Sequence, residues 1–364
     1  MASFLSRCRP RSLARPPLMG VQLTQHLRAF HIFRDVPPLR QHRRELLLKG
    51  EPVGLVPTMG ALHKGHLSLV RAAAEENGKV FVSIYVNPTQ FGVDEDLDSY
   101  PKTWDSDLAM LEELDTELEK AGKGRIDAIF APTTKTVYPT LPPDSRVDGV
   151  GSFVTITPLA TLLEGKSRPV FFRGVATVCM KLFNIVQADN VYFGQKDVQQ
   201  TVIIKRLVKD FHLPTTVRII PTEREEDGLA MSSRNVYLGE RRRRAGIVLS
   251  KALGAAEKAY MMGRRNRDEI LAFSWDVVNR AQLEQDTLEK NERALFEVDY
   301  ISLADPEGLE EVEMVDSDQG AVLSGAVKML PLEEVKNGEK LGLGSDEVPV
   351  RLIDNIPLPP MKAP

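Results

Sequence analysis

Residues 56–66, VPTMGALHKGH, carry the clearest chemical signal in the chain. They join an apolar run to a helix-forming stretch through Gly60 and Gly65, and glycine lets a backbone come close to a ligand. A helix beginning near His66 presents unpaired amides and about half a positive charge at its N-terminus, which makes an anion site. His63 and His66 stand at its mouth. Neutral imidazoles there can donate hydrogen bonds to phosphate oxygens, and an imidazolium would add charge as a leaving group forms. Two other readings compete. A histidine pair could ligate a metal, but that needs a third ligand, and His26, His31, His42 and His212 lie in the tail, the first helix or far along the chain. Two incidental surface histidines are the other reading. Placement between two glycines at a strand-to-helix turn favours phosphate.

Such a turn needs a strand before it and a helix after it. PVGLVP (52–57) reads as a buried strand and 66–77 as the helix. A helix over 37–49 precedes them; KVFVSIYV (79–86), β-branched and aromatic, predicts the next strand. Leu108, Leu111 and Leu118 lie on one face of a helix over 104–120, and 126–132 reads as a strand. This alternation predicts βαβ units and a parallel sheet. Residues 133–158 read as loops with a strand at 153–157. A helix (174–187), a strand (190–194), a helix (197–211) with Asp197 as N-cap, and a strand (215–220) continue the pattern. It then changes: two long helices over 239–291, short strands at 296–303 and 320–329, and a polar insert at 330–349. The expected architecture is α/β: a doubly wound, Rossmann-like parallel sheet over 35–222 and a smaller C-terminal α+β lid over 223–364.

Composition narrows the function classes. Among 364 residues, 42% are hydrophobic and 27% charged, ordinary for a folded protein. No run of 18 apolar residues is present, so a membrane span is not expected. Cys8 and Cys179 are too few for a disulfide framework or a cysteine-based zinc site. The net charge of −4 gives no electrostatic case for nucleic acid. It hides an asymmetry: residues 1–34 hold six arginines and no acidic residue, leaving 41 Lys+Arg against 51 Asp+Glu elsewhere, a net of −10. That stretch fits a mitochondrial transit peptide or an inert basic tail, so the compartment reads as cytoplasm or mitochondrial matrix. Two apparent motifs are set aside. ATLLEGKS (160–167) lacks the first glycine of a phosphate loop. The arginines of ERRRRAG (240–246) point around a helix, not along one face, and are expected to be solvated.

PTMGALHKGH resembles the signature of pantothenate synthetases, within the HxGH nucleotidyltransferase superfamily. The resemblance continues through VNPTQFG (86–92), LEGKSRPVFFRG (163–174), YFGQKDVQQ (192–200), MSSRNVYL (231–238), VDYISL (298–303) and RLIDN (351–355). It implies an ATP-dependent ligase that joins pantoate to β-alanine through a pantoyl-adenylate, releasing pyrophosphate and AMP. It implies a homodimer and Mg2+, held largely by phosphate oxygens and water, with Asp107 as a possible protein contact. Pro57, Thr58, Met59, Gly60, His63, Gly65 and His66 would line the nucleotide site, His66 donating a proton. Gly194, Gln195, Lys196 and Asp197 would flank the adenosine and phosphates, with Glu223, Met231, Ser232, Ser233 and Arg234 completing the site. The catalytic set is His63, His66, Lys196 and Arg234. Asn87, Gln90, Arg168 and Gln200 would bind pantoate, with Met59 and Phe91 as apolar wall. Two departures stand out: Gln195 where the family often has Glu, and Phe171 where many members have His. Two rivals remain: a nucleotidyltransferase that stops at adenylylation, and a non-catalytic nucleotide-binding protein.

Overall fold

The computed structural model describes residues 30–92, 97, 100–140, 150–343 and 348–361. Most of the basic extension, with Cys8, and residues 344–347 of the insert lie outside the described residues.

Six parallel strands form the main sheet: β1 (His31–Phe33), β2 (Val53–Thr58), β3 (Lys79–Ile84), β4 (Arg125–Phe130), β5 (Asn190–Gly194) and β6 (Thr216–Ile220). Their order is β1-β4-β3-β2-β5-β6. From β2 the chain runs outward one way through β3 and β4, then crosses to the other side of β2 and runs the other way through β5 and β6. The reversal falls between β2 and β5, and ligands bind outside the carboxyl ends of strands at such a point. β1 pairs with β4 from inside the stretch that sequence assigned to the extension.

The helices are α1 (Val36–Leu48), α2 (Lys64–Glu76), α3 (Trp104–Lys120), α4 (Thr134–Val137), α5 (Glu164–Ser167), α6 (Phe171–Val186) and α7 (Val198–Asp210). Strand alternation sorts them. Leu55 and Phe81 share one core with Leu39 of α1, Val175 of α6 and Ile203 of α7. Val56, Val80 and Val82 share the opposite core with Val70 of α2 and Leu111 of α3. Both faces are covered, as a parallel sheet requires.

The second part holds α8 (Gly239–Gly246), α9 (Val248–Met261), α10 (Arg267–Thr287) and an antiparallel sheet of β7 (Phe296–Ala304), β8 (Ala321–Met329) and β9 (Val350–Leu358). Leu253, Tyr260, Ile270, Leu323 and Val327 lie in its own core.

Four expectations are corrected. The helical stretch after 239 is three helices, not two. The expected strand at 153–157 is irregular: the Val154 amide donates to the Thr177 hydroxyl (2.9 Å) instead of to a ladder. Asp197 precedes α7 without a side-chain cap bond. The arginines of α8 are not all solvated. Arg241 and Arg242 are buried; Arg241 pairs with Glu339 of the insert and Arg242 donates to the carbonyls of Tyr237 and Leu238. The insert covers the helix, which composition alone does not reveal.

Candidate active site

Two turns meet where the sheet order reverses, one after β2 and one after β5. In the first, His63 is extended (φ −145°) and caps α2. Its Nδ1 accepts the Gly65 amide (3.2 Å), and its carbonyl accepts the amides of His66 (2.8 Å) and Leu67 (3.1 Å). The sequence reading kept such amides for an anion; the structure consumes these three within the turn. What the turn offers the cleft is imidazole. Because Nδ1 of His63 accepts, its proton in the neutral ring sits on Nε2. The two rings lie 4.1 Å apart, and Nδ1 of His66 is buried without a partner. Burial first, then the Lys196 cation, lowers His63 to about 4; burial, His63 and Lys196 lower His66 to about 3. At neutral pH both are uncharged donors, the resting state that the sequence reading allowed, with imidazolium left to the bound complex.

The turn's shape is imposed on it. Gly60 (φ 85°) and Ala61 (φ 50°) are both left-handed, a conformation that costs a non-glycine residue energy. Thr58 Oγ1 accepts the Gly60 amide (3.3 Å) and donates to the Ser83 carbonyl (2.7 Å). Asp107, from the first turn of α3, accepts the amides of Ala61 (3.0 Å) and Leu62 (2.8 Å) and the Thr103 hydroxyl (3.0 Å). Asp107 is buried and its oxygens are committed. In place of the magnesium contact expected from sequence, Asp107 holds the turn.

The second turn follows Gly194 as one turn of 3-10 helix over Gln195–Asp197. Lys196 Nζ lies 3.5 Å from Asp197 Oδ2. Gln195 bonds instead to Asn355 of β9 (3.0 Å). A third segment, past β6, folds back on itself: the Met231 amide donates to the Glu223 carbonyl (2.9 Å), and Ser232 Oγ accepts the Arg234 amide (3.2 Å).

These segments enclose a cleft of about 240 Å³. Pro57, Thr58, Met59, His63, Gly65, His66, Gly194, Lys196, Asp197, Glu223, Met231, Ser232, Ser233 and Arg234 line it. So do Asn87, Gln90, Arg168 and Gln200, with Phe91, Val175, Val178 and Cys179 as apolar wall. Gly60, Gln195 and Asp107 do not line it. Asn87 is there to position: its amide donates to Gln90 Oε1 (3.1 Å) and the Gly174 carbonyl (3.2 Å), and its oxygen accepts from Thr89 (3.0 Å) and Tyr138 (2.8 Å). That leaves the Gln90 NH2 as its donor toward the cleft. Phe171, in place of the expected histidine, stacks under the Arg168 guanidinium at 3.8 Å. A larger hollow of about 580 Å³ shares Arg168, Phe171, Lys196, Asp197, Ser232 and Arg234 with the cleft and is otherwise walled mostly by the second part of the chain.

Sequence reasoning missed Thr58 as a brace, Tyr138 behind Asn87, and the pair Asp354–Asn355. Asp354 is buried and takes both nitrogens of Arg224 (2.6 and 2.9 Å). Only the RLIDN string signalled the last pair, without a role.

A Rossmann-like sheet whose switch point carries paired imidazoles and a lysine defines a nucleotide-handling enzyme. A family model described as pantoate-beta-alanine ligase matches residues 31–357. The pantothenate synthetase of Roseiflexus castenholzii is 47% identical over 265 residues, 73% of this chain and 84% of its own. That of Chloroflexus aurantiacus is 44% identical over 306 residues, 84% and 96% of the two chains. The crystal structure of pantothenate synthetase from Thermus thermophilus aligns with a TM-score of 0.68 at 34% identity, covering 90% of this chain and 99% of that one. The pantoate-beta-alanine ligase of Francisella tularensis, complexed with beta-gamma ATP and beta-alanine, aligns at 0.59 and 30% identity, covering 90% and 98%. The chain belongs to the pantoate–β-alanine ligase family.

Proposed function

We propose that this chain condenses pantoate with β-alanine in two steps at the one cleft. A pantoate carboxylate oxygen bonds to the α-phosphorus of ATP, and the bond from that phosphorus to the β-phosphate bridging oxygen breaks, releasing pyrophosphate. The β-alanine amine then bonds to the acyl carbon of the adenylate, the acyl–phosphate bond breaks, AMP leaves and the amine gives up a proton. Phosphoryl transfer is mostly positioning and charge stabilisation. Lys196 and Arg234 supply charge, His63 Nε2–H and His66 donate to phosphate oxygens, and Ser232 and Ser233 add hydroxyls. Gln90, Gln200 and Arg168 bind pantoate against the apolar wall. A bound polyphosphate raises both histidine pKa values, which lets His66 act as proton donor in the complex.

The observation that carries this reading is convergence: the β2 turn, the β5 turn and the MSSR segment line the same cleft as Gln90 and Gln200. Mg2+ fits as a companion of the nucleotide. Phosphate oxygens and water would hold it largely, and it would supply charge neutralisation there; among the described residues no group of three or more His, Cys, Asp or Glu side chains is placed to hold a metal. Residues 35–222 are proposed as the ATP and pantoate domain and 223–364 as a lid, in a homodimer that sedimentation velocity tests. No helix among the described residues is long and apolar enough to cross a membrane. The location is proposed as cytoplasm or mitochondrial matrix; imaging fusions with and without residues 1–29, which spares β1, separates the two.

Exchange of labelled pyrophosphate into ATP tests the reaction. Exchange should require pantoate, and AMP release should require β-alanine. Pantoate-independent exchange would sink the reading.

A further inference from the structure

We infer that Asn355, on β9 of the second sheet, is a positioning residue for Lys196. The turn bearing Lys196 has no side-chain cap of its own. Asn355, 2% exposed, supplies the fixing from across the molecule. Its amide donates to the carbonyls of Gln195 (2.9 Å) and Lys196 (2.8 Å), and its oxygen accepts from Gln195 Nε2 (3.0 Å). Both hydrogens of the carboxamide are thereby spent on the two peptide units that flank the Lys196 side chain. The clasp is itself anchored. The Asn355 backbone amide donates to Asp354 Oδ1 (2.8 Å), and Asp354 is gripped by Arg224. A misplacement of about 1 Å can cost a reaction about 100-fold. The second sheet, none of whose strands walls the cleft between the two turns, therefore sets where the lysine stands. Gln195 suits this clasp because its NH2 meets the Asn355 oxygen; a glutamate there would set oxygen against oxygen.

The inference rests on the reading of Lys196 as a phosphate contact, and a double-mutant cycle separates the two. Pantoate-dependent pyrophosphate exchange would be measured for Asn355→Ala, Lys196→Ala and the pair, with thermal melting of each. Lys196→Ala is expected to lose about 100-fold in turnover and Asn355→Ala about 10-fold or more, while the pair is no slower than Lys196→Ala alone. Losses that multiply, or Asn355→Ala within twofold of the wild type, overturn the positioning role. Near-normal turnover in Lys196→Ala overturns the lysine reading instead. If Asn355→Ala does not fold, Gln195→Met, which removes one bond of the clasp, replaces it in the cycle: a few-fold loss that vanishes in the Lys196→Ala background supports the role, and one that persists there refutes it.

Discussion

Helix α3 carries two buried aspartates about two turns apart, each 1% exposed, and its two ends use them differently. Asp115 meets a cation. Arg125 grips it with Nε (2.9 Å) and a terminal nitrogen (2.5 Å), the Ile126 amide adds a third bond (2.9 Å), and helix and β4 are tied together. Among the described residues Asp107 has no such partner. Its charge is spread over two backbone amides and a hydroxyl, all belonging to the site turn or the start of the helix. An ion pair fixes where one element lies against another. A carboxylate solvated by amides fixes the path of the backbone itself, and does so without setting another cation beside the imidazoles.

Exchanging each aspartate for asparagine should separate these tasks. Asp107→Asn puts an NH2 group against amides that need an acceptor, the left-handed pair Gly60–Ala61 loses its brace, and turnover should fall about 100-fold. Steady-state rates within threefold of the wild type would take control of the turn away from Asp107. Asp115→Asn should leave turnover within twofold but lower stability by about 2 kcal/mol, the size of a charged hydrogen bond lost at a half-open pair. Urea unfolding with an unchanged midpoint would erase the contrast.

The last expected effect, absent at neutral pH and confined to acid, is on pH dependence, and it marks the site end of α3 alone. Held near 4 and 3, His63 and His66 stay neutral in the fold while their unfolded counterparts, near 6.5, take up protons. The unfolded state then binds more protons, so stability is complete above about pH 6.5 and falls as pH drops toward 4 and then 3. The slope is at most about 1.4 kcal/mol per pH unit for each ring. Replacing both histidines by glutamine should flatten this acid limb, whereas Asp115→Asn should leave it in place. An unflattened limb in the double variant would assign the acid sensitivity elsewhere.

Much of the fold was legible because buried apolar residues repeat at readable periods. Residues 104–120 and 190–194 form the expected helix and strand with the expected ends. β9 was missed because Asp354 and Asn355 interrupt its apolar pattern, and β1 because three residues beside a basic tail are too few to show a period. The cleft residues were found as strings of sequence, and most of them line one cavity. Asp107 and Asn355 were misread or unread for a shared reason. Their partners are backbone groups 45 or more positions away, and no side-chain pattern announces an interaction with a distant peptide bond. Arg241 and Arg242 failed in the opposite sense: a run of charge reads as surface until another segment covers it.

The edge strand carries a last consequence. His31–Phe33 pairs in register with Ala128–Phe130, and the Phe30 side chain is buried against the sheet's helical layer. The sheet therefore limits how much of the N-terminal stretch the fold can lose. Removal of residues up to 29 would leave the ladder whole; removal up to residue 34 would take an edge strand from β4 and bare the ladder groups it covers.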